Sequence, residues 1–132
     1  MGYTKRINQK PKRRFAGIPV AVMDHPDYIA LNGNAIKLLI EAARQYNGKN
    51  NGKLCFVWSQ MRNRGWKSKT TLTAAKNELL HHKLLIISKH GGLINGTGTA
   101  QFYALTWQQV DEIPGFKMDI ESTAKPIRSF TV

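Results

Sequence analysis

The chain has 132 residues, enough for one domain with a single hydrophobic core. Hydrophobic residues make up 42% of it, which argues against a chain that is disordered throughout. Twenty Lys and Arg residues against eight Asp and Glu residues give a net charge of +12, which favours an anionic partner. Cys55 is the single cysteine, so no intramolecular disulfide can form, and no apolar run approaches the roughly 18 residues that span a bilayer. We therefore expect a soluble cytoplasmic protein without a membrane partner.

The positive charge is concentrated before residue 108. Residues 1–22 carry six basic and no acidic side chains, and residues 23–107 carry eleven basic and four acidic ones. Residues 108–132 carry three basic and four acidic side chains. Residues 1–14 show no hydrophobic period, which predicts a flexible basic arm. Such an arm would follow the phosphates or a groove of a nucleic acid through basic residues that include Lys12, Arg13 and Arg14.

The first strong helical pattern begins near residue 32. The preceding stretch, FAGIPVAVMDHPDYIAL, is interrupted by Pro19 and Pro26 and is expected to be short extended structure at most. NGNAIKLLIEAARQYNG follows and predicts a helix, with Asn32 or Asn34 as its N-cap. Its predicted buried face consists of Ile36, Leu39, Ile40 and Ala43.

Two further helices are predicted after a short strand in KLCFV. WSQMRNRG indicates a short helix that ends at Gly65, and Ser68 suits the N-cap of a third helix in KTTLTAAKNELLHHK. The apolar face of the third helix consists of Leu72, Ala75 and Leu79. Its opposite face is small and polar, contains no acidic residue, and consists of Lys67, Thr70, Ala74, Asn77 and His81, with Thr73 at its edge.

The remaining pattern predicts a hairpin and a tail. LLIIS and QFYALTW are strand candidates joined by the glycine-rich segment KHGGLINGTGTA, whereas residues 111–132 are weakly patterned. This order of elements predicts an α+β winged helix-turn-helix domain over residues 15–110, with three helices and a wing of two or three strands.

In this fold the third helix enters the major groove of double-stranded DNA. Ser68, Thr70 and Thr73 are small enough for close approach, and threonine methyl groups can contact the methyl group of thymine. Asn77 can pair with the edge of adenine. The turn and the start of the helix supply basic residues for phosphates, namely Arg62, Arg64, Lys67 and Lys69.

Three stretches, YNGKNNGKL, RGWKSKTTLTAAKNELL and FYALTW, resemble a family of small helix-turn-helix proteins carried by bacterial phages, plasmids and integrative elements. The resemblance covers about residues 15–113. It implies a winged-helix DNA-binding domain without catalytic residues. It also implies a basic wing that turns at glycine, to which SKHGG corresponds, with Lys89 and His90 as DNA contacts.

Other kinds of site have little support in the sequence. No two histidines have the i, i+4 spacing of a helical metal site and Cys55 has no second cysteine, so neither a metal nor a cofactor is expected. GKNNGK lacks the glycine spacing and the Ser or Thr of a phosphate-binding loop. No nucleophile–base pair or carboxylate cluster stands out, so an enzyme is the weakest hypothesis.

The leading hypothesis is a transcriptional regulator of a mobile element that occludes a promoter. A homodimer on a palindromic site would be usual, with its interface on the first helix or the tail. One alternative keeps the fold and makes the protein an accessory factor in replication or transfer. Another makes it a phage-encoded inhibitor that binds a host protein or nucleoprotein complex.

Overall fold

A computed structural model of the protein describes residues 13–94 and 97–130, except for the side chains at 93, 94 and 97. The described residues form a small α+β fold. Its helices are α1 (Val20–Met23), α2 (Pro26–Ile29), α3 (Gly33–Gln45), α4 (Trp58–Met61) and α5 (Lys69–His81), and its strands are β1 (Leu85–Lys89), β2 (Gly92–Ile94), β3 (Thr97–Thr99) and β4 (Phe102–Leu105). The element order from α3 onward is compatible with a winged helix.

The segment before α3 is helical, so the prediction of extended structure was wrong. Each of α1 and α2 is a single turn that follows or begins with a proline. Pro26 occupies the first position of α2, where its fixed φ suits a helix start and its missing N–H costs nothing. The side chain of His25 accepts a hydrogen bond of 3.1 Å from the backbone N–H of Asp27. The prolines therefore start helices here.

Helix α3 forms the centre of the core. Of the two predicted candidates, Asn32 is the N-cap, because its Oδ1 accepts a 2.9 Å hydrogen bond from the N–H of Ala35. The fully buried side chains are Ala35, Leu38, Leu39 and Ala42. Of the predicted face, Leu39 and Ala43 are buried and Ile36 packs against the core, whereas Ile40 is 49% exposed, so the prediction was wrong for Ile40. The small alanines at both ends of the fully buried stripe allow α5 to pack closely against α3.

The segment from α4 to α5 agrees with the sequence prediction. A 3₁₀ turn continues α4 over residues 62–64 and ends at Gly65, whose φ of 85° is in the left-handed region that favours glycine. The Oγ of Ser68 accepts a hydrogen bond of 3.2 Å from the N–H of Thr71 and caps α5. The buried side chains of α5 are Leu72, Ala75 and Leu79, as predicted.

Strands β1 and β4 pair antiparallel, with Leu85 opposite Leu105 and Ile87 opposite Tyr103. KLCFV contributes only an isolated bridge between Leu54 and Tyr103, so it is less regular than predicted. β2 and β3 pair with each other and extend the hairpin into the segment that was expected to be a turn. The hairpin is therefore longer than the strand patterns indicated.

The chain beyond residue 110 packs on the domain. Phe130 is 7% exposed and belongs to the same hydrophobic core as α3 and α5. The N–H of Asp119 donates a 2.7 Å hydrogen bond to the carbonyl of Ser88, and Arg128 pairs with the carboxylate of Asp27. The hydrophobic core therefore includes a residue of the segment 111–132, which was predicted to be a tail outside the domain. None of the helices in the described part of the chain is long and apolar enough to cross a membrane.

Candidate nucleic-acid interface

The outward face of α5 is exposed over its whole length. Thr70, Thr73, Ala74, Asn77 and His81 are all exposed, as their position opposite the buried stripe requires. Glu78 lies at the flank, where its carboxylate accepts a hydrogen bond of 2.7 Å from the N–H of Asn32. Consequently the face presents hydroxyl, methyl and amide groups without a carboxylate between them.

Basic side chains surround the N-terminal end of α5. Arg62, Lys67 and Lys69 are exposed there. The Oγ of Ser68 accepts the capping hydrogen bond of the helix, and its hydroxyl hydrogen can still be donated to an acceptor on a bound molecule. The positive end of the helix dipole adds to these charges. This end of α5 can hold phosphate groups.

Arg64 has a partner inside the protein. Its Nε and Nη2 each donate a hydrogen bond of 3.0 Å to the two carboxylate oxygens of Glu41, whose side chain is only 11% exposed. Such a two-point ion pair holds the guanidinium in one orientation. The pair gives Arg64 a structural contact, because the guanidinium neutralises the mostly buried acid of α3. The phosphate contact of Arg64 stays a prediction.

Lys89 and His90 lie at the base of the hairpin and contact the C-terminal segment. The ammonium of Lys89 lies 5.1 Å from the centre of the Phe116 ring. Both the backbone N–H and the Nδ1 of His90 hydrogen-bond to Asp119, at 2.7 and 3.1 Å. Hydrogen bonds from the backbone and then the ring of His90 lower the pKa of Asp119, so its negative charge offsets the wing's positive charge. Residues 95–96, which follow β2 in the chain, lie outside the described residues.

The arm meets the domain at the C-terminal end of α3. Arg14 donates a hydrogen bond of 3.1 Å to the carbonyl of Arg44, at the end of α3. Helices α3 and α5 run antiparallel, because Asn32 contacts Glu78 and Glu41 contacts Arg64. The end of α3 therefore lies on the side where α5 begins. Arg13 and Arg14 are exposed, and Lys12 lies outside the described residues.

A groove between α5 and β4 was not predicted. Its volume is about 370 Å³, and Lys69, Thr73 and Lys76 line one side of it. Thr99, Gln101 and Tyr103 line the other side, and Trp58 of α4 lies at its end. The i, i+4, i+7 spacing of the α5 residues is visible in the sequence, but the approach of β4 is not.

No group of three His, Cys, Asp or Glu side chains that could hold a metal ion occurs in residues 13–94 and 97–130. Burial raises the pKa of the Cys55 thiol, which therefore stays protonated at neutral pH. Comparison of the chain with protein-family models, with curated proteins and with solved structures gave no match. The resemblance of three sequence stretches to a phage and plasmid family thus stays a prediction.

Proposed function

We propose that the protein is a winged-helix protein that binds double-stranded DNA, with α5 in the major groove and the β2–β3 hairpin against the adjacent backbone or minor groove. The observation that supports this most strongly is the exposed face of α5, which is free of acidic residues and begins beside exposed Arg62, Lys67 and Lys69. A face that only contacts solvent usually mixes Glu with Lys.

Within the proposed complex the α5 side chains divide into two groups. Thr70, Thr73 and Asn77 reach base edges, with the amide of Asn77 able to pair with adenine. Lys67, Lys69 and Arg62 contact phosphates and set the position of the helix without reading sequence. The basic arm, including Lys12, Arg13 and Arg14, adds phosphate contacts from the end of α3.

The proposed biological role is transcriptional regulation in a mobile element, by occlusion of a promoter. An accessory role in replication or transfer would use the same surface at an origin. In this proposal a homodimer would form through α3 or the C-terminal segment. A dimer would require an inverted repeat in the DNA target.

The test is selection from a random duplex pool at near-physiological salt, with and without unlabelled competitor, followed by sequencing of the bound fraction. We expect one enriched motif, and its genomic position distinguishes a promoter from an origin. The same selection with Asn77→Ala should lose preference at one or two positions. The exposed variant Ser122→Ala, far along the chain from α5, is the control. Binding without any enriched motif, or no binding, contradicts the proposal and favours a host protein partner.

A further inference from the structure

The groove between α5 and β4 contains a positive charge without a counterion. Lys76 is half-buried on the side of α5 that faces the hairpin. Among the described residues, none forms a hydrogen bond or an ion pair with its ammonium group. Desolvation by the surrounding protein accordingly lowers the pKa of Lys76 below its ordinary value. A cation in this position reduces the stability of the free protein.

The rest of the groove is arranged to receive an anion. Lys69 lies seven residues before Lys76, about 10 Å along the helix axis, so a group between them is within reach of both long side chains. None of the lining residues is acidic. The hydroxyl of Tyr103 accepts a hydrogen bond of 2.9 Å from Nε2 of Gln101, which leaves its own hydrogen available to an acceptor. Burial raises the pKa of Tyr103, so the hydroxyl stays neutral and keeps that hydrogen.

The geometry of DNA identifies the anion. The sugar–phosphate backbone of each strand separates the major groove from the minor groove. A protein with α5 in one groove and its hairpin at the next must therefore accommodate one backbone between these two elements. The groove with Lys69 and Lys76 occupies that interval.

We propose that this groove binds a phosphate of the DNA backbone, held between the ammonium groups of Lys69 and Lys76, with the neighbouring deoxyribose against Trp58. The inference rests on the proposed DNA-binding function and deepens it. It makes Lys76 a phosphate-binding residue and the groove the point that fixes the hairpin relative to α5. Bound phosphate supplies the counterion that none of the described residues provides for Lys76.

The first test compares Lys76→Met with Lys125→Met, which removes the same charge from an exposed site in the C-terminal segment. Using a duplex obtained by selection, we expect Lys76→Met to lose affinity by about tenfold or more, because a charge-assisted contact is removed. Lys125→Met should change affinity by about twofold or less. The melting temperature of Lys76→Met should equal or exceed that of the native protein, because the desolvated charge is gone. A loss of affinity therefore does not reflect unfolding.

The second test identifies the phosphate. Single phosphates of the duplex are replaced one at a time by neutral methylphosphonates. At one or two positions the replacement should weaken binding of the native protein and of Lys125→Met, but should not weaken Lys76→Met further. The slope of log affinity against log salt should also become shallower by about 0.9 in Lys76→Met.

The outcomes separate this inference from the function on which it rests. Native protein that binds no duplex overturns both. Native protein that binds duplex while Lys76→Met binds as tightly as Lys125→Met overturns the inference alone. It is equally overturned if Lys76→Met weakens binding but every methylphosphonate remains as costly as it is for the native protein.

Discussion

The side chain of Asn51 is hydrogen-bonded to both backbone groups of Leu105. Its Oδ1 accepts from the N–H of Leu105 at 2.7 Å, and its Nδ2 donates to the carbonyl of Leu105 at 3.0 Å. The amide also donates to the carbonyl of Gln109 at 2.8 Å, and Asn51 is completely buried. One side chain in the turn after α3 therefore provides hydrogen-bond partners for both backbone groups of the last residue of β4.

Replacing Asn51 should consequently destabilise the fold. Asn51→Ala leaves a buried N–H and a buried carbonyl of Leu105 without partners, and we expect the free energy of unfolding to fall by about 3 kcal/mol. Urea denaturation followed by circular dichroism measures this change. Asn63→Ala, at an exposed position, is the control and should change stability by less than about 0.5 kcal/mol. Equal stability of the two variants would contradict the role assigned to Asn51.

The pair formed by Arg64 and Glu41 predicts a stability effect in place of a binding effect. Arg64→Gln should lower the melting temperature, because the mostly buried carboxylate of Glu41 then lacks its two-point partner. Adding Glu41→Gln should recover part of the loss, because the buried charge is removed as well. A thermal double-mutant cycle measures this coupling. If Arg64→Gln instead keeps its melting temperature and loses DNA affinity, the phosphate contact first predicted for Arg64 is supported.

The features that sequence predicted well are those set by neighbours in the chain. Ser68 and Asn32 cap helices through bonds to residues three positions later, and the buried stripe of α5 follows from its period. The roles of Asn51 and Arg64 depend on partners 54 and 23 residues away, which local pattern does not encode. The one-turn helices α1 and α2 are too short to be stable by themselves and depend on tertiary contacts such as the burial of Val22. The sequence pattern indicates only that Lys76 is in a helix. The groove that it lines forms because β4 lies opposite α5, and the pattern does not predict that approach.

Asn77 is the residue of α5 most suited to reading a base. We expect Asn77→Ala, and in a second variant Thr73→Ala, to reduce discrimination between the selected site and a site with one base changed by about 1–3 kcal/mol. Stability should stay constant because both side chains are exposed. Fluorescence anisotropy on matched and mismatched duplexes measures the difference. Discrimination unchanged in both variants would show that this face does not lie in the major groove.

The ion pair between Asp27 of α2 and Arg128 of the C-terminal segment should lose its stabilising effect at acid pH. Hydrogen bonds from Arg128 and then His82 lower the pKa of Asp27 below its ordinary value of 3.8. A carboxyl group with a lower pKa in the folded state contributes stability above pH 3.8, and this contribution is lost as pH falls through the folded-state pKa. We therefore expect Asp27→Asn to be less stable than the native protein at pH 6 and to approach it as the pH falls below 3.8. Melting temperatures measured across this range test the prediction, and parallel curves would contradict it.

The arm should contribute affinity without specificity. Residues 1–14 carry six basic side chains and no acid, so their removal should weaken binding to every duplex. Each lost phosphate contact should make the slope of log affinity against log salt shallower by about 0.9, up to about 5 if all six side chains make contact. A full-length variant with these six residues changed to Gln separates charge from chain length, and should behave like the truncated protein. Preference among sequences should be unchanged in both, because phosphate contacts do not distinguish bases. If truncation instead leaves the salt slope as it is and alters the preferred motif, the arm reads bases, and its basic residues do not act as a phosphate-tracking segment.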